Sequence, residues 1–272
     1  MILKQKMRPR VVLAQWLVDL KYKFKFLEKL LFLPVLFMRP ADLMEFSRQS
    51  YSRPVLIEIW SGKSSTDIGL REAEKAVLEK IPIKEGRILV LASGGGRDAI
   101  SLARAGFDVT VIDFVPEMVE RAVENARKSG IKISGMVQDM SKLDVPGSSY
   151  DIIWLFEVMY STIPTRKKRI EMLKRIRRAL KPGGYFVCEC LWKTKDRDSL
   201  GIYFIKKLLA CLTLGNILYE NGDVLWKNTE FAHLFLSEEE IRSEFEKGGF
   251  KVDYIHVPIN GIRGEGLLRR LD

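Results

Sequence analysis

LVLASGGGRDAISLARAGFDVTVID, residues 89–113, is the stretch on which the fold turns. It contains most of the apolar run Ile88–Leu91 and then breaks at Ser93-Gly94-Gly95-Gly96. Residues 97–105 read as a helix with Ile100, Leu102 and Ala103 on one face, stopped by Gly106. Val109–Ile112 is a second apolar run and ends on Asp113. Downstream the alternation continues. Pro116 opens a helix, as proline at a first helical position does, and Met118, Val119, Ala122 and Val123 form its buried stripe before Gly130 closes it. Ile131–Val137 reads as a third strand, Asp151–Phe156 as a fourth, and 165–180 as a helix. Tyr185–Cys190 follows as a fifth strand, behind Lys181-Pro182-Gly183-Gly184. Repeated strand–helix alternation with short connections predicts an α/β protein, a Rossmann-like parallel sheet with helices on both faces.

Ligands of such sheets bind outside the carboxyl ends of the strands. The glycine loop falls there, where residues without Cβ let the backbone turn sharply and approach a ligand. Asp113, at the end of the second strand, is placed to accept both hydroxyls of a ribose. Asp139-Met140, after the third strand, offers an acceptor for an exocyclic amine and an apolar face for a purine. Each piece alone also serves as a turn or a helix cap. In order at one sheet edge, they predict an adenosine ligand. Gly94-x-Gly96-x-x-Ala99 fits the loose dinucleotide fingerprint as well, so the loop alone leaves a nucleotide-dependent oxidoreductase open.

Three further blocks separate these readings. With YDIIWLFEVMY (150–160), LKPGGYFVCE (180–189) and LSEEEIRSEFEKGGFKVDYI (236–255), the chain resembles the class I S-adenosylmethionine-dependent methyltransferases of small molecules over roughly residues 80–272. The resemblance implies a closing antiparallel hairpin from Lys251–Pro258 and Glu265–Leu271. It also implies a cofactor site. The methionine part would lie against Ala92, Gly94 and Gly96, and the ribose on Asp113. Phe114 and Met118 would lie near the adenine, Asp139 and Met140 at its edge, and Phe156 in the same site. The chain departs from the family at Val90, often an acid, at Ala92, usually glycine, and at Val115, usually small and polar.

Methyl transfer is an in-line displacement at a sulfonium methyl, so orientation is the enzyme's main contribution. A base helps when the acceptor is a hydroxyl, a carbon acid or an ammonium group. Glu157, Tyr160 and Ser161 follow the fourth strand, Ser161 standing where many relatives carry a histidine. Glu157 and Tyr160 are the catalytic candidates. Tyr160 reads equally as a wall of the pocket, and Glu157 as a partner for backbone in the turn.

The chain has 272 residues, 47% apolar and 29% charged, which excludes disordered and fibrous classes. Three cysteines without C-x-x-C spacing and two histidines predict neither a disulfide framework nor a metal centre, and point to a reducing, cytoplasmic setting. The formal net charge is +10, and residues 1–50 carry ten Lys and Arg against four acids. That stretch is also rich in Leu, Phe and Val, yet its longest uncharged run, Leu30–Met38, has nine residues and contains Pro34. A spanning helix needs about 20 apolar residues, and charges interrupt any secretory-signal pattern. Residues 1–60 are therefore read as a basic amphipathic extension, a lid or a membrane-surface segment, and 61–272 as the methyltransferase domain. Nine basic residues between Arg166 and Lys181 surround a single acid, Glu171, and predict a charged solvated helix face. No nucleic-acid motif accompanies them. Residues 191–231, with Tyr203, Phe204, Leu208, Leu212, Ile217 and Trp226 among them, read as a helical lid over the pocket. His233, just beyond it, faces the pocket or caps Leu234-Phe235. Two apolar, basic covers over one site predict a hydrophobic or lipid-like acceptor. A membrane-associated protein that keeps the fold without turnover is the non-enzymatic alternative.

Overall fold

The computed structural model describes residues 8–23, 33–193, 198–259 and 261–272. The basic and apolar residues of 1–7 and 24–32 weighed above lie outside the described residues. Apolar runs become central strands because helices cover the sheet on both faces. They are β1 (Arg87–Leu91), β2 (Asp108–Asp113), β3 (Ser134–Val137), β4 (Tyr150–Leu155) and β5 (Leu180–Leu191). The sheet closes with β8 (Lys251–Ile255) and β9 (Arg263–Arg269), in the order β3-β2-β1-β4-β5-β9-β8. The first five strands are parallel, and β9 runs antiparallel to both β5 and β8. The α/β parallel sheet and its closing hairpin are therefore as the sequence indicates. The third strand is shorter than expected, because Ile131 donates its N–H back to Ala126 and Ile133 turns into the core. The fifth is longer, because the Lys181–Gly184 turn stays within its ladder.

Between the strands lie α7 (Arg97–Arg104), α8 (Pro116–Lys128) and α9 (Arg166–Ala179), with α11 (Glu238–Lys247) before β8. Among the described residues six helices precede the sheet: α1 (Pro9–Lys23), α2 (Leu33–Phe37), α3 (Pro40–Tyr51), α4 (Pro54–Ser61), α5 (Lys63–Thr66) and α6 (Glu72–Lys80). Residues 191–231 are only partly helical. They hold α10 (Leu200–Leu212) and lead into a separate hairpin, β6 (Asp223–Trp226) with β7 (Glu230–His233). Val11, Ala14, Val35, Leu36, Leu43 and Phe46 of the N-terminal helices share one buried cluster with Ala210, Tyr219 and Phe231. The extension and the insertion thus form one cover.

The apolar face of α10 departs from the lid expectation. Leu200, Phe204, Ile205, Leu208 and Leu212 are exposed, as are Leu214, Ile217 and Leu218 beyond the helix. Only Ala210 of the helix is fully buried. It is the β6–β7 turn that reaches the cavity. The solvated reading of α9 also needs correction at one position, since Arg169 is wholly buried.

Candidate active site

The strand order reverses between β1 and β4, and a cleft opens at their carboxyl ends, the position this topology favours. Its space is about 1210 Å³ including the open mouth. Ala92, Ser93, Gly94, Asp113, Phe114, Met118 and Phe156 line it. Tyr51, Trp60, Trp226, Glu230 and Arg263 line it as well. Ala92 takes φ 52° and Gly94 φ 51°, so the chain turns left-handed twice as it leaves β1. Gly94 needs its hydrogen for that turn. Gly95 needs it for packing, since a Cβ there would stand 2.3 Å from the Ser61 Cα and 2.6 Å from the Trp60 carbonyl oxygen.

Asp113 is buried at the end of β2. Its Oδ2 accepts the Gly94 N–H and its Oδ1 the Val115 N–H, both at 3.0 Å. Burial outweighs these backbone donors and raises its pKa to about 6. The Ser93 hydroxyl oxygen is buried with no hydrogen-bond partner among the described residues. Asp139 and Met140 line an adjoining recess with Arg48, Tyr51, Phe114 and Glu230. One Asp139 oxygen caps the next turn through Ser141, and the other lies 3.6 Å from Arg48. Arg48 also stacks over the Phe114 ring at 5.3 Å.

The sequence candidates divide. Ala92, Gly94, Asp113, Phe114, Met118, Phe156 and Glu157 line the cleft, with Asp139 and Met140 beside it. Gly96 does not line it. At φ 89° Gly96 starts α7 with Ala122 packed against it, a Cβ there meeting Ala122 at 3.1 Å. Tyr160 is neither wall nor catalyst of this cleft. It is fully buried, donates its O–H to Glu244 at 2.8 Å and packs on Phe235 and Phe245. His233 is likewise away from the cleft, bonded to Asp223 at 2.9 Å and Glu240 at 3.1 Å.

Glu157 sits at the cleft but is engaged. Arg97 donates to it at 2.8 Å and Arg263 at 3.2 Å, and Arg71 lies 3.4 Å away. Burial would raise its pKa, but the three guanidiniums win and hold it below the usual range. A carboxylate so neutralised is a weak base. Glu74, Asp98 and Glu189 complete this network, with Glu189 also accepting the Val158 N–H at 2.9 Å. The network places Arg97, Asp98, Glu157 and Arg263, charges of both signs, along the cleft.

Sequence reading missed a second polar pair. Tyr51 of α3 donates its O–H to the Glu230 carboxylate of β7 at 2.9 Å, and both side chains line the cleft. Glu230 is buried, and burial raises its pKa to about 7. The two residues are 179 positions apart, so no local pattern could join them. Trp60 and Arg263 were missed for the same reason, whereas Trp226 lay in the stretch read as a lid over the pocket and does line the cleft.

Comparison with known proteins agrees with this geometry. A methyltransferase-domain family model matches residues 88–184. A ubiquinone biosynthesis O-methyltransferase of Rickettsia conorii is 30% identical over 128 residues, 47% of this chain and 43% of that protein. The match thus spans less than half the length of that relative. A ubiquinone/menaquinone biosynthesis C-methyltransferase of Rickettsia akari is 27% identical over 64% of this chain and 72% of its own. A methyltransferase of Methanosarcina mazei described as S-adenosylmethionine-dependent has the same fold. Its TM-score is 0.57 at 24% identity, covering 75% of this chain and 99% of that one. Residues 88–184 thus match a methyltransferase domain, on a sheet with the fold of a methyltransferase described as S-adenosylmethionine-dependent.

Proposed function

We propose that this protein transfers the methyl group of S-adenosylmethionine to a small, lipid-like acceptor. The observation that carries the reading is the cleft itself, lined by the buried Asp113 carboxylate and by the aromatic rings of Tyr51, Trp60, Phe114, Phe156 and Trp226. The residues present fit the cofactor. The Asp113 carboxylate suits ribose hydroxyls, and the unpartnered Ser93 hydroxyl lacks a partner that a polar ligand would supply. Arg97, Arg263 and Glu157 offer both signs of charge to an amino-acid zwitterion. Bound there, the cofactor supplies an activated methyl group. The chain's own residues orient the acceptor, and Tyr51, Trp60 and Trp226 keep water from it. Relatives named as O- and C-methyltransferases of ubiquinone biosynthesis support an amphiphilic acceptor. Calorimetry with S-adenosylhomocysteine and with NAD tests the reading. Micromolar binding of the former is the expected outcome, and binding of NAD alone overturns it in favour of an oxidoreductase.

The exposed apolar surface of α10, with Leu214, Ile217 and Leu218, suits a bilayer surface, where a lipid-like acceptor would be met. Arg10 and Arg39 stand at its edge, both donating to the Leu214 carbonyl. Exposed Val12, Leu13 and Trp16 belong to α1, the helix that carries Arg10. Among the described residues no helix is long and apolar enough to cross a membrane. The exposed apolar surface beside these arginines supports surface attachment. Deleting residues 1–38 would strip Val11, Ala14, Val35 and Leu36 from a buried cluster. Substitution on α10 is the cleaner test. The full chain should sediment with phosphatidylglycerol vesicles at low salt and not with phosphatidylcholine vesicles. The triple variant Phe204→Ser, Leu208→Ser, Leu212→Ser should remain in the supernatant. Wild-type protein left in the supernatant with both vesicles overturns the attachment.

A further inference from the structure

A methyl acceptor that is a hydroxyl must lose its proton as its oxygen is methylated. Glu157, the carboxylate nearest β4, is held by three arginines and serves that purpose poorly. Glu230 differs in every respect that matters. It is 4% exposed, yet its side chain lines both the main cleft and the recess beside Asp139. Its one side-chain hydrogen bond among the described residues is from the neutral phenol of Tyr51. Trp226, Met159 and Phe114 give that part of the cleft apolar walls.

We propose that Glu230 is the general base for a hydroxyl acceptor, and that Tyr51 is its positioning residue. The inference rests on the methyltransferase reading above. The acceptor oxygen bonds to the methyl carbon as the carbon–sulfur bond breaks. The electron pair of that bond stays on sulfur, leaving a neutral thioether, and the hydroxyl proton passes to the Glu230 carboxylate. Tyr51 holds one carboxylate oxygen and leaves the other to the acceptor. The acceptor class is a phenol, catechol or enol with an apolar body.

The titratable and charged groups around Glu230 come from four elements: the neutral Tyr51 on α3, and the charges of Lys227 in the β6–β7 turn, Arg263 on β9 and Glu157 after β4. Burial raises the carboxyl toward neutrality, while the Tyr51 hydrogen bond, Lys227 and Arg263 draw it back. Glu157 pushes it up again. The group therefore changes protonation close to neutral pH, where a base of this kind is most effective.

The test uses the full chain and the isosteric variant Glu230→Gln, whose amide oxygen can still accept from Tyr51. Infrared difference spectra across pH, wild type minus variant, should show a carboxylic-acid band vanishing with a midpoint near 7. Affinity for S-adenosylhomocysteine should agree within twofold between the two proteins. With dodecyl gallate and S-adenosylmethionine, wild-type methylation should rise through that midpoint and then level. Glu230→Gln should be at least 100-fold slower, its residual rate climbing steadily with pH. Tyr51→Phe should move the wild-type midpoint upward, since it removes a donor to the carboxylate. The infrared arm needs no acceptor, so a Glu230 carboxyl without that midpoint overturns the proposal even where dodecyl gallate is not turned over. A Glu230 carboxyl ionised down to about pH 4, the ordinary carboxylate range, overturns the proposal. So does a variant that loses tenfold or more of its S-adenosylhomocysteine affinity, which makes Glu230 part of the cofactor site. Absence of binding in both proteins instead overturns the methyltransferase reading.

Discussion

Asp113 shows how a single residue's setting decides what it does. A carboxylate at a strand end with two backbone donors would ordinarily have a low pKa, yet burial lifts it to about 6. If it accepts two ribose hydroxyls, the ionised form is the binding form. Affinity for S-adenosylhomocysteine should then be constant above pH 7 and weaken as the pH falls through 6. Asp113→Ala should cost about tenfold to a hundredfold in affinity at pH 8, since hydrogen bonds to a charged group contribute about 1.5–3 kcal/mol. Calorimetry from pH 5 to 8 measures both, and a flat wild-type profile contradicts the assignment. Asp113 was legible in the sequence because its position depends on a local pattern, a strand ending on an acid. Glu157 was legible as a position but not as a role. The arginines that neutralise it come from residues 71, 97 and 263, which only the fold brings together.

At the scale of elements, patterns of period two and 3.6 reveal where strands and helices lie, because each is set by nearest neighbours in the chain. They do not reveal which way an apolar stripe faces. The stripe of α10 reads the same whether it covers a pocket or meets solvent, and here it meets solvent. Nor do they distinguish glycines that serve a ligand from glycines that serve packing. Gly95 is of the second kind: its N–H donates to the Trp60 carbonyl, and backbone of α4 fills the space of a side chain. Gly95→Ala must push α4 outward, and Trp60 lines the cleft. Its melting temperature should fall by several degrees and its S-adenosylhomocysteine affinity at least tenfold. Gly130→Ala is the control. It has a left-handed requirement at φ 71° that Gly95 lacks, but nothing within 4 Å of a Cβ, so it should lose only about 1 kcal/mol from backbone strain. Equal losses in the two variants, followed by circular dichroism, would mean that α4 does not depend on this contact.

Across the whole molecule, the cover is fastened to the sheet domain by a buried charge network that composition could not foretell. Arg169 of α9 makes paired hydrogen bonds to Glu244 of α11, at 2.7 and 2.9 Å, and reaches Glu220 before β6 at 2.8 Å. His233 of β7 joins Asp223 of β6 to Glu240 of α11. Glu220, Asp223 and His233 have ligand atoms within 4.8 Å of one another, but a guanidinium and the imidazole already engage them. Burial and the Arg169 charge lower the His233 pKa, whereas the bonds to Asp223 and Glu240 and the Asp223 charge raise it. The latter prevail, bringing it to about 9. A histidine whose folded value exceeds its ordinary 6.5 stabilises the fold fully below pH 6.5. That contribution must fade as the pH rises through 9. The wild-type melting temperature should therefore decline from pH 7 to 9.5. His233→Gln should melt several degrees lower at pH 7 and show a much flatter dependence over the same range. Arg169→Met should also melt lower, because it strands the buried Glu244 carboxylate, a loss of about 3–5 kcal/mol. Its pH dependence should retain the His233 decline, since an arginine does not titrate there. A His233→Gln protein with the wild-type pH profile would place the titrating group elsewhere and break the proposed fastening.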